Sequence, residues 1–327
     1  MTSSRALLVT ESLELSIGVR EVAVPGIGEA LVRIEWAGVC GSDLHVLRTG
    51  DWVRVWPATP GHEFVGVVEQ CPGAEFAIGS RVVVDSRVPC GACDGCARAA
   101  NQCESIGWVG EVFPGGLQER ALIPTDLLVE VPAGLEPELA VLAEPLAVAQ
   151  HAVNKVADLG AEVLILGYGP IGMLVHAELS LRSPGIHVTV VDPSAPRRGI
   201  AAAFGAVALA NHADGVVAKA DVVFDAAGYP SALANSIDWV RNGGDIVIVA
   251  LGHAAESILP AQVAEKGLRI HGANGFADEL PVALTQLAAS PERFRALITD
   301  AYPLADAPEV LRAMLREPSA GKVVFRP

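Results

Sequence analysis

The sequence predicts an α/β protein in two parts, a β-rich unit followed by a doubly wound parallel sheet. Three observations predict it. Short apolar runs punctuated by Gly and Pro fill residues 1–140. Strand-like and helix-like stretches alternate from about residue 145, and a glycine-spaced turn joins the first of those strands to its helix. The 327 residues exceed one average domain, and half of them are hydrophobic, so two sizeable cores can be buried.

In the first part ALLV, ALVRIEWAGV, FVGVVEQ, RVVVD, ALIP and LLVEV read as strands. PGIG, TPGHE, CPG and PGG lie between them and suit turns. A compact barrel-like β unit is expected.

The rhythm changes near residue 145. AEPLAVAQHAVNKVADLG has helical spacing and reads as a helix ending in Gly160. The strands that follow are EVLILG, HVTVVD, ADVVFDAAG, DIVIVALG and LRIHGANG. The helices between them are GPIGMLVHAELSLR, APRRGIAAAFGA, PSALANSIDWVRNG and LPAQVAEKG. Continuously apolar strands alternating with helices mean a parallel sheet buried on both faces. From residue 277, PVALTQLAAS and PEVLRAMLRE read as helices and KVVF as a last strand, a tail expected to rejoin the first unit.

VLILGYGPIGM places Gly167, Gly169 and Gly172 in a G-x-G-x-x-G pattern that ends a strand and opens a helix. The first glycine permits the tight turn, and the second lets the backbone approach a pyrophosphate. The third lets the helix pack close, and the helix N-terminus holds the phosphates. In another α/β domain the same turn would be bare packing. Here Asp192 follows Gly172 by 20 residues, at the end of VTVVD, where an acid can bind the ribose hydroxyls. It would repel a 2′-phosphate, favouring NAD over NADP, while Arg197 and Arg198 keep NADP open. The cofactor-binding set is Gly167, Gly169, Pro170, Ile171, Gly172, Asp192, Arg197 and Ala227.

The six cysteines are unevenly spread. CGACDGCARAANQC places Cys90, Cys93, Cys96 and Cys103 as C-x2-C-x2-C-x6-C. Four thiolates at this spacing can close a tetrahedral zinc shell with no open position, which is a structural site; the other reading is a cluster of free or oxidised thiols. A second set is scattered. Cys40 opens CGSDLH on an expected turn, His62 and Glu63 follow in PGHE, and Glu144 lies in AEPLA. Adjacent residues on a regular strand face opposite ways, but Pro60-Gly61 can bend the chain enough for His62 and Glu63 to converge. Thiolate, imidazole and carboxylates around an ion with an exchangeable water make a catalytic zinc site. Singly, each has a plainer reading as a core histidine or a surface charge.

The net charge of −15 argues against nucleic acid and anionic membrane as partners. No run of 18 apolar residues occurs, and MTSSRALLVTESLEL lacks the apolar stretch of a secretory signal. The cytoplasm is the expected location.

Together GVCGSDLH, TPGHEFVG, the four-cysteine lobe, GGLQE, AEPLAVAQHAV, GYGPIG, VVD and GKVVF span the chain. In these motifs it resembles the zinc-dependent medium-chain alcohol dehydrogenases, nearest the polyol (sorbitol) and threonine dehydrogenase branch. The resemblance implies a GroES-like catalytic domain over residues 1–145 and 277–327, with a structural zinc lobe at about 90–103. A Rossmann NAD-binding domain over 146–276 is implied with it, the active site lying in the cleft between the two. It implies two zinc ions per chain, a homodimer or homotetramer, and hydride transfer between a small secondary alcohol and NAD. By position, Cys40, His62 and Glu63 become catalytic zinc ligands, and Glu144 ligates directly or through water. Ser42 and His45 match the proton relay, and Asp43 the carboxylate that orients the ligand histidine. Trp52 and Ser86 should line the substrate pocket. One departure stands out: six residues, not the usual seven, precede the last lobe cysteine. The alternatives are an NADP-dependent ketone reductase of the same fold and a zinc-free or non-catalytic NAD-binding relative. The zinc-free reductases usually lack the Cys-His-Glu set and the lobe.

Overall fold

The computed structural model describes residues 1–211, 219–252 and 254–327. They divide into two compact units, Met1–Glu144 with Leu280–Pro327, and Pro145–Glu279.

The first unit is built on a seven-stranded sheet. Its path runs through Ile298–Pro303, Lys322–Arg326, Glu29–Gly38, Glu63–Gln70, Arg81–Val84 and Leu128–Glu130, with Arg120–Pro124 also paired to Glu29–Gly38. The tail enters this sheet directly: Lys322–Arg326 pairs antiparallel with Glu29–Gly38, Val324 opposite Gly38 and Phe325 opposite Ala37. Leu7, Val32, Phe64, Leu117, Ile123 and Phe325 are almost wholly buried in one continuous core. Each such side chain contributes about 1.5–3 kcal/mol relative to exposure. That core holds rigid the strand ends on which the site is built.

The second unit is a six-stranded parallel sheet in the order Val207–Leu209, His187–Val191, Glu162–Leu166, Ala220–Asp225, Val240–Ile248 and Arg269–Gly272. In chain order this is 3-2-1-4-5-6, the doubly wound dinucleotide arrangement. Strand residues Leu164, Leu166, Val223 and Ile246 are buried, as a sheet covered on both faces requires.

Several elements differ from expectation. The helix expected to run to Gly160 spans Ala143–Asn154, and its end tightens through Lys155 N–H to Ala152 O and Val156 N–H to Val153 O. VRNG, read as helical, belongs to the strand Val240–Ile248, because Val240 pairs with Ala220 ahead of a register shift. Short elements without strong patterning were not read at all, among them Pro137–Ala140, Pro291–Arg295 and Ile298–Pro303. No helix among the described residues is long and apolar enough to cross a membrane.

Candidate active site

CGSDLH is the start of a helix and not an isolated turn. Cys40 is the extended N-cap residue, the helix runs Gly41–Thr49, and Gly50 closes it in the left-handed conformation. Asp43, at the third helical position, accepts from Cys40 N–H at 2.8 Å and from Gly61 N–H at 3.1 Å. One carboxylate therefore ties the thiol-bearing helix to the segment that carries His62.

That segment bends where the sequence allowed it. Gly61 has φ +99°, and a Cβ there would lie 3.0 Å from Leu117 Cγ. His62 follows the bend and Glu63 begins the strand Glu63–Gln70. The donor atoms of Cys40, His62 and Glu63 all lie within 4.8 Å of one another. Asp43 Oδ1 faces His62 Nδ1 at 3.5 Å, which leaves Nε2 for a metal. Burial disfavours charge on both residues, yet their mutual attraction wins: Asp43 is held low and His62 well above its ordinary value. A cation at this cluster would take over the partnership with the imidazole and hold it neutral.

Glu144 lies outside the three-residue cluster. It is buried, and its Oε1 accepts from Ser86 Oγ at 2.7 Å. Burial, followed by the repulsion of Glu63, pushes Glu144 up to about 7, with His62 acting the other way. Ser86 was expected to line the substrate pocket. Its side chain is buried, and its hydroxyl donates to Glu144.

Ser42 is half-buried on the same helix. His45 Nε2 lies 3.1 Å from the exposed Asp51 Oδ2, and its ring stands 4.5 Å from that of Trp52. Two groups escaped the sequence reading. Lys322 is buried, with Nζ 2.7 and 2.6 Å from the Glu63 oxygens. Glu111, pushed up to about 7 by burial, is electrostatically close to His62 and Asp43, and its carbonyl accepts from Arg54 N–H at 2.8 Å. A lysine at the head of the apolar run KVVF was the available signal for the first. Nothing in the pattern marked Glu111.

The four lobe sulfurs also lie within 4.8 Å of one another. Cys90 and Cys96 are 3.7 Å apart, and Cys93 and Cys96 are 3.5 Å apart. A zinc–sulfur bond of about 2.3 Å puts tetrahedral sulfurs roughly 3.8 Å apart, so the set fits zinc. Backbone N–H groups, that of Ala92 foremost, bring Cys90 down to about 6, while burial pushes Cys96 up to about 11. Thiols this close need a cation before all can ionise. The six-residue spacing is taken up by the short 3-10 turn Ala100–Gln102, which returns Cys103 to the cluster.

In the second unit Gly167 ends the strand Glu162–Leu166, and the helix Pro170–Arg182 begins after Gly169, with Pro170 and Ile171 in its first turn. A Cβ at Gly172 would overlap the Gly167 carbonyl oxygen, so the close helix–strand approach needs glycine there. Ala227 packs against Gly167 on the neighbouring strand end. Asp192 is buried and braces the loop, accepting from Tyr168 N–H and Ser194 N–H, each at 2.7 Å. Arg197 reaches its Oδ2 at 3.6 Å, and Arg198 donates to the Asp192 and Pro193 carbonyls.

Such a nucleotide unit, in one chain with donor sets shaped for zinc, marks a dehydrogenase that works through a metal. The comparisons agree. The family model of the Alcohol dehydrogenase GroES-like domain matches residues 26–133, and that of the Zinc-binding dehydrogenase matches residues 170–289. The chain is 30% identical over 310 residues to L-idonate 5-dehydrogenase (NAD(P)(+)) of Escherichia coli strain K12, covering 90% of each. It is 29% identical over 318 residues to L-threonine 3-dehydrogenase of Coxiella burnetii strain Dugway 5J108-111, covering 92% of each. It superposes on 2R,3R-butanediol dehydrogenase from Bacillus subtilis with a TM-score of 0.89, at 27% identity and 99% coverage of both chains. The chain belongs to the zinc-dependent medium-chain alcohol dehydrogenase family. It is an oxidoreductase acting on a small alcohol with a nicotinamide dinucleotide.

Proposed function

We propose that this enzyme interconverts a polyol, cyclitol, aminocyclitol or amino alcohol with its ketone, using NAD as hydride acceptor. The observation that carries the reading is the convergence of the Cys40, His62 and Glu63 donor atoms within 4.8 Å, with Asp43 behind the imidazole. Relatives named for idonate, threonine and butanediol support a hydroxylated substrate.

Cys40, His62 and Glu63 hold the catalytic ion, and Glu144 joins directly or through water. Zinc, when bound, supplies the Lewis acidity that makes an alcohol proton acidic near neutral pH. Asp43 keeps the His62 ring in the tautomer that leaves Nε2 to the metal. Ser42 takes the substrate proton as it gives its own to His45, which passes one outward to Asp51, a route supported by the 3.1 Å His45–Asp51 hydrogen bond. Trp52 and Glu111 present an aromatic face and a carboxylate to the substrate's other groups. Ser86 lines the substrate pocket beside Glu144, to which its hydroxyl donates.

Cys90, Cys93, Cys96 and Cys103 hold a second, structural zinc ion. Asp192 favours NAD by retaining lone pairs for the ribose hydroxyls. Arg197 softens its repulsion of a 2′-phosphate, so NADP is used more weakly. The free thiols support a reducing compartment such as the cytoplasm. The exposed edge strand Arg269–Gly272 supports assembly into a homodimer or homotetramer.

Elemental analysis with a screen of polyols, cyclitols and amino alcohols tests the reading. Two zinc ions per chain are expected, one for each donor set. Reduced nicotinamide should form faster with NAD than with NADP. Protein without zinc, or no alcohol that reduces either cofactor, would refute it.

A further inference from the structure

Glu63 and Lys322 meet across the strand Glu29–Gly38. On one side Glu63 pairs with Gly38, and on the other Val324 pairs with the same Gly38. Lys322 stands two residues before Val324, on the same face of its strand. Gly38 lacks a side chain, and a Cβ there would collide with Glu63 Oε2. The Lys322 ammonium therefore reaches both Glu63 oxygens, at 2.7 and 2.6 Å, and also donates to Val39 O at 3.0 Å. Both side chains are almost completely buried.

This pair is not an incidental salt bridge. Burying two charges is costly, and a pair retained in a core needs a further reason. Lysine donates only, and each hydrogen bond it makes to Glu63 uses a lone pair that a metal would also seek. The charge count points the same way. A metal-bound Cys40 thiolate and Glu63 carboxylate would bring two negative charges to one site, with the Glu144 carboxyl, pushed up to about 7, close by. The Lys322 cation offsets one of them, so that a divalent ion keeps net positive charge. Without it the site would hold an ion more tightly and make it a weaker acid toward an alcohol.

We propose that Lys322 is a positioning residue for the metal centre: its ammonium clamps Glu63 across Gly38 and limits how far that carboxylate can commit to the ion. The inference rests on the zinc-dehydrogenase reading given above. Lys322→Met keeps the length and removes the charge, and Lys322→Gln keeps a donor. Each is produced with cobalt(II) loaded at the centre and zinc kept in the four-cysteine lobe. Binding cobalt during folding gives Glu63 a partner in place of the ammonium, so both variants have a route to the folded state.

Visible absorption and the rate of cobalt loss to a chelator are compared with wild type, neither of which depends on turnover. In Lys322→Met the cobalt bands should weaken as Glu63 adds an oxygen to the coordination. Metal loss should slow by about tenfold, the lower end of the size such partners have but opposite in sign, because this partner competes with the ion for Glu63, and turnover should fall. Lys322→Gln should move the same way by less. A purely structural role would lower thermal stability and leave the spectrum and the loss rate unchanged, and that result in either variant overturns the proposal. If wild-type protein takes up no cobalt with a thiolate signature at this centre, the zinc-dehydrogenase reading itself fails. A normal wild-type spectrum with unresponsive variants sinks only the role of Lys322.

Discussion

The two donor clusters of the first unit are built on opposite plans. The lobe takes four thiols from one 14-residue loop, and local backbone helps shape it: Cys93 caps the helix Asp94–Arg98 and accepts from Cys96 N–H. The other centre draws on a helix start, a strand start and, through Lys322, the far end of the chain. Its candidate donors are chemically mixed, and the buried groups Asp43, Glu144, Ser86 and Lys322 stand beside them. A loop that closes on itself needs only sulfur and suits a permanent ion. A centre that must exchange a water for a substrate needs donors of different strength, each held by something else.

The sharpest break in that comparison is Cys40→Ser against Cys93→Ser. Losing the Cys40 thiolate should release the ion, and with it Lewis acidity worth several kcal/mol, so turnover should drop by roughly a thousandfold or more. Dinucleotide binding, followed by nicotinamide fluorescence, should survive.

Glu144 gives the next effect. Glu144→Ala should reduce turnover and metal retention at the centre by about 10–100-fold. Glu144→Gln separates charge from shape, because the amide still accepts from Ser86. Near wild-type turnover and metal content in both would make Glu144 a bystander to the reaction.

Cys93→Ser should matter least to the chemistry and most to the fold. Lobe zinc should be lost, and the melting temperature should fall by about 5–10 °C, while turnover stays within roughly tenfold. A collapse of turnover equal to that of Cys40→Ser would mean that the two clusters are not independent.

Legibility in the sequence followed the same division. The clustering of the four lobe cysteines is legible because they are neighbours in the chain, and a single 3-10 turn takes up the shortened spacing. The glycine-spaced turn was legible for the same reason, since the strand, the turn and the helix are contiguous. Cys40, His62 and Glu63 could be paired only through family resemblance and the bend at Gly61. Ser86, expected at the substrate pocket from family resemblance, also donates to Glu144, a contact no local pattern announces. The segment VRNG joins a strand because sheet pairing outweighs local periodicity, and the helix Ala143–Asn154 stops short of Gly160.

What the sequence by itself determined are the features written in adjacent residues: the alternating strands and helices, the phosphate-binding turn and the four-thiol lobe. Tertiary structure alone decided the charge balance of the mixed centre. Lys322 and Glu63 are 259 residues apart in the chain and 2.6 Å apart in space. They meet because two strands flank a third at a glycine. Register across a sheet is settled by the packing of all its strands at once, so no local pattern could announce that pairing.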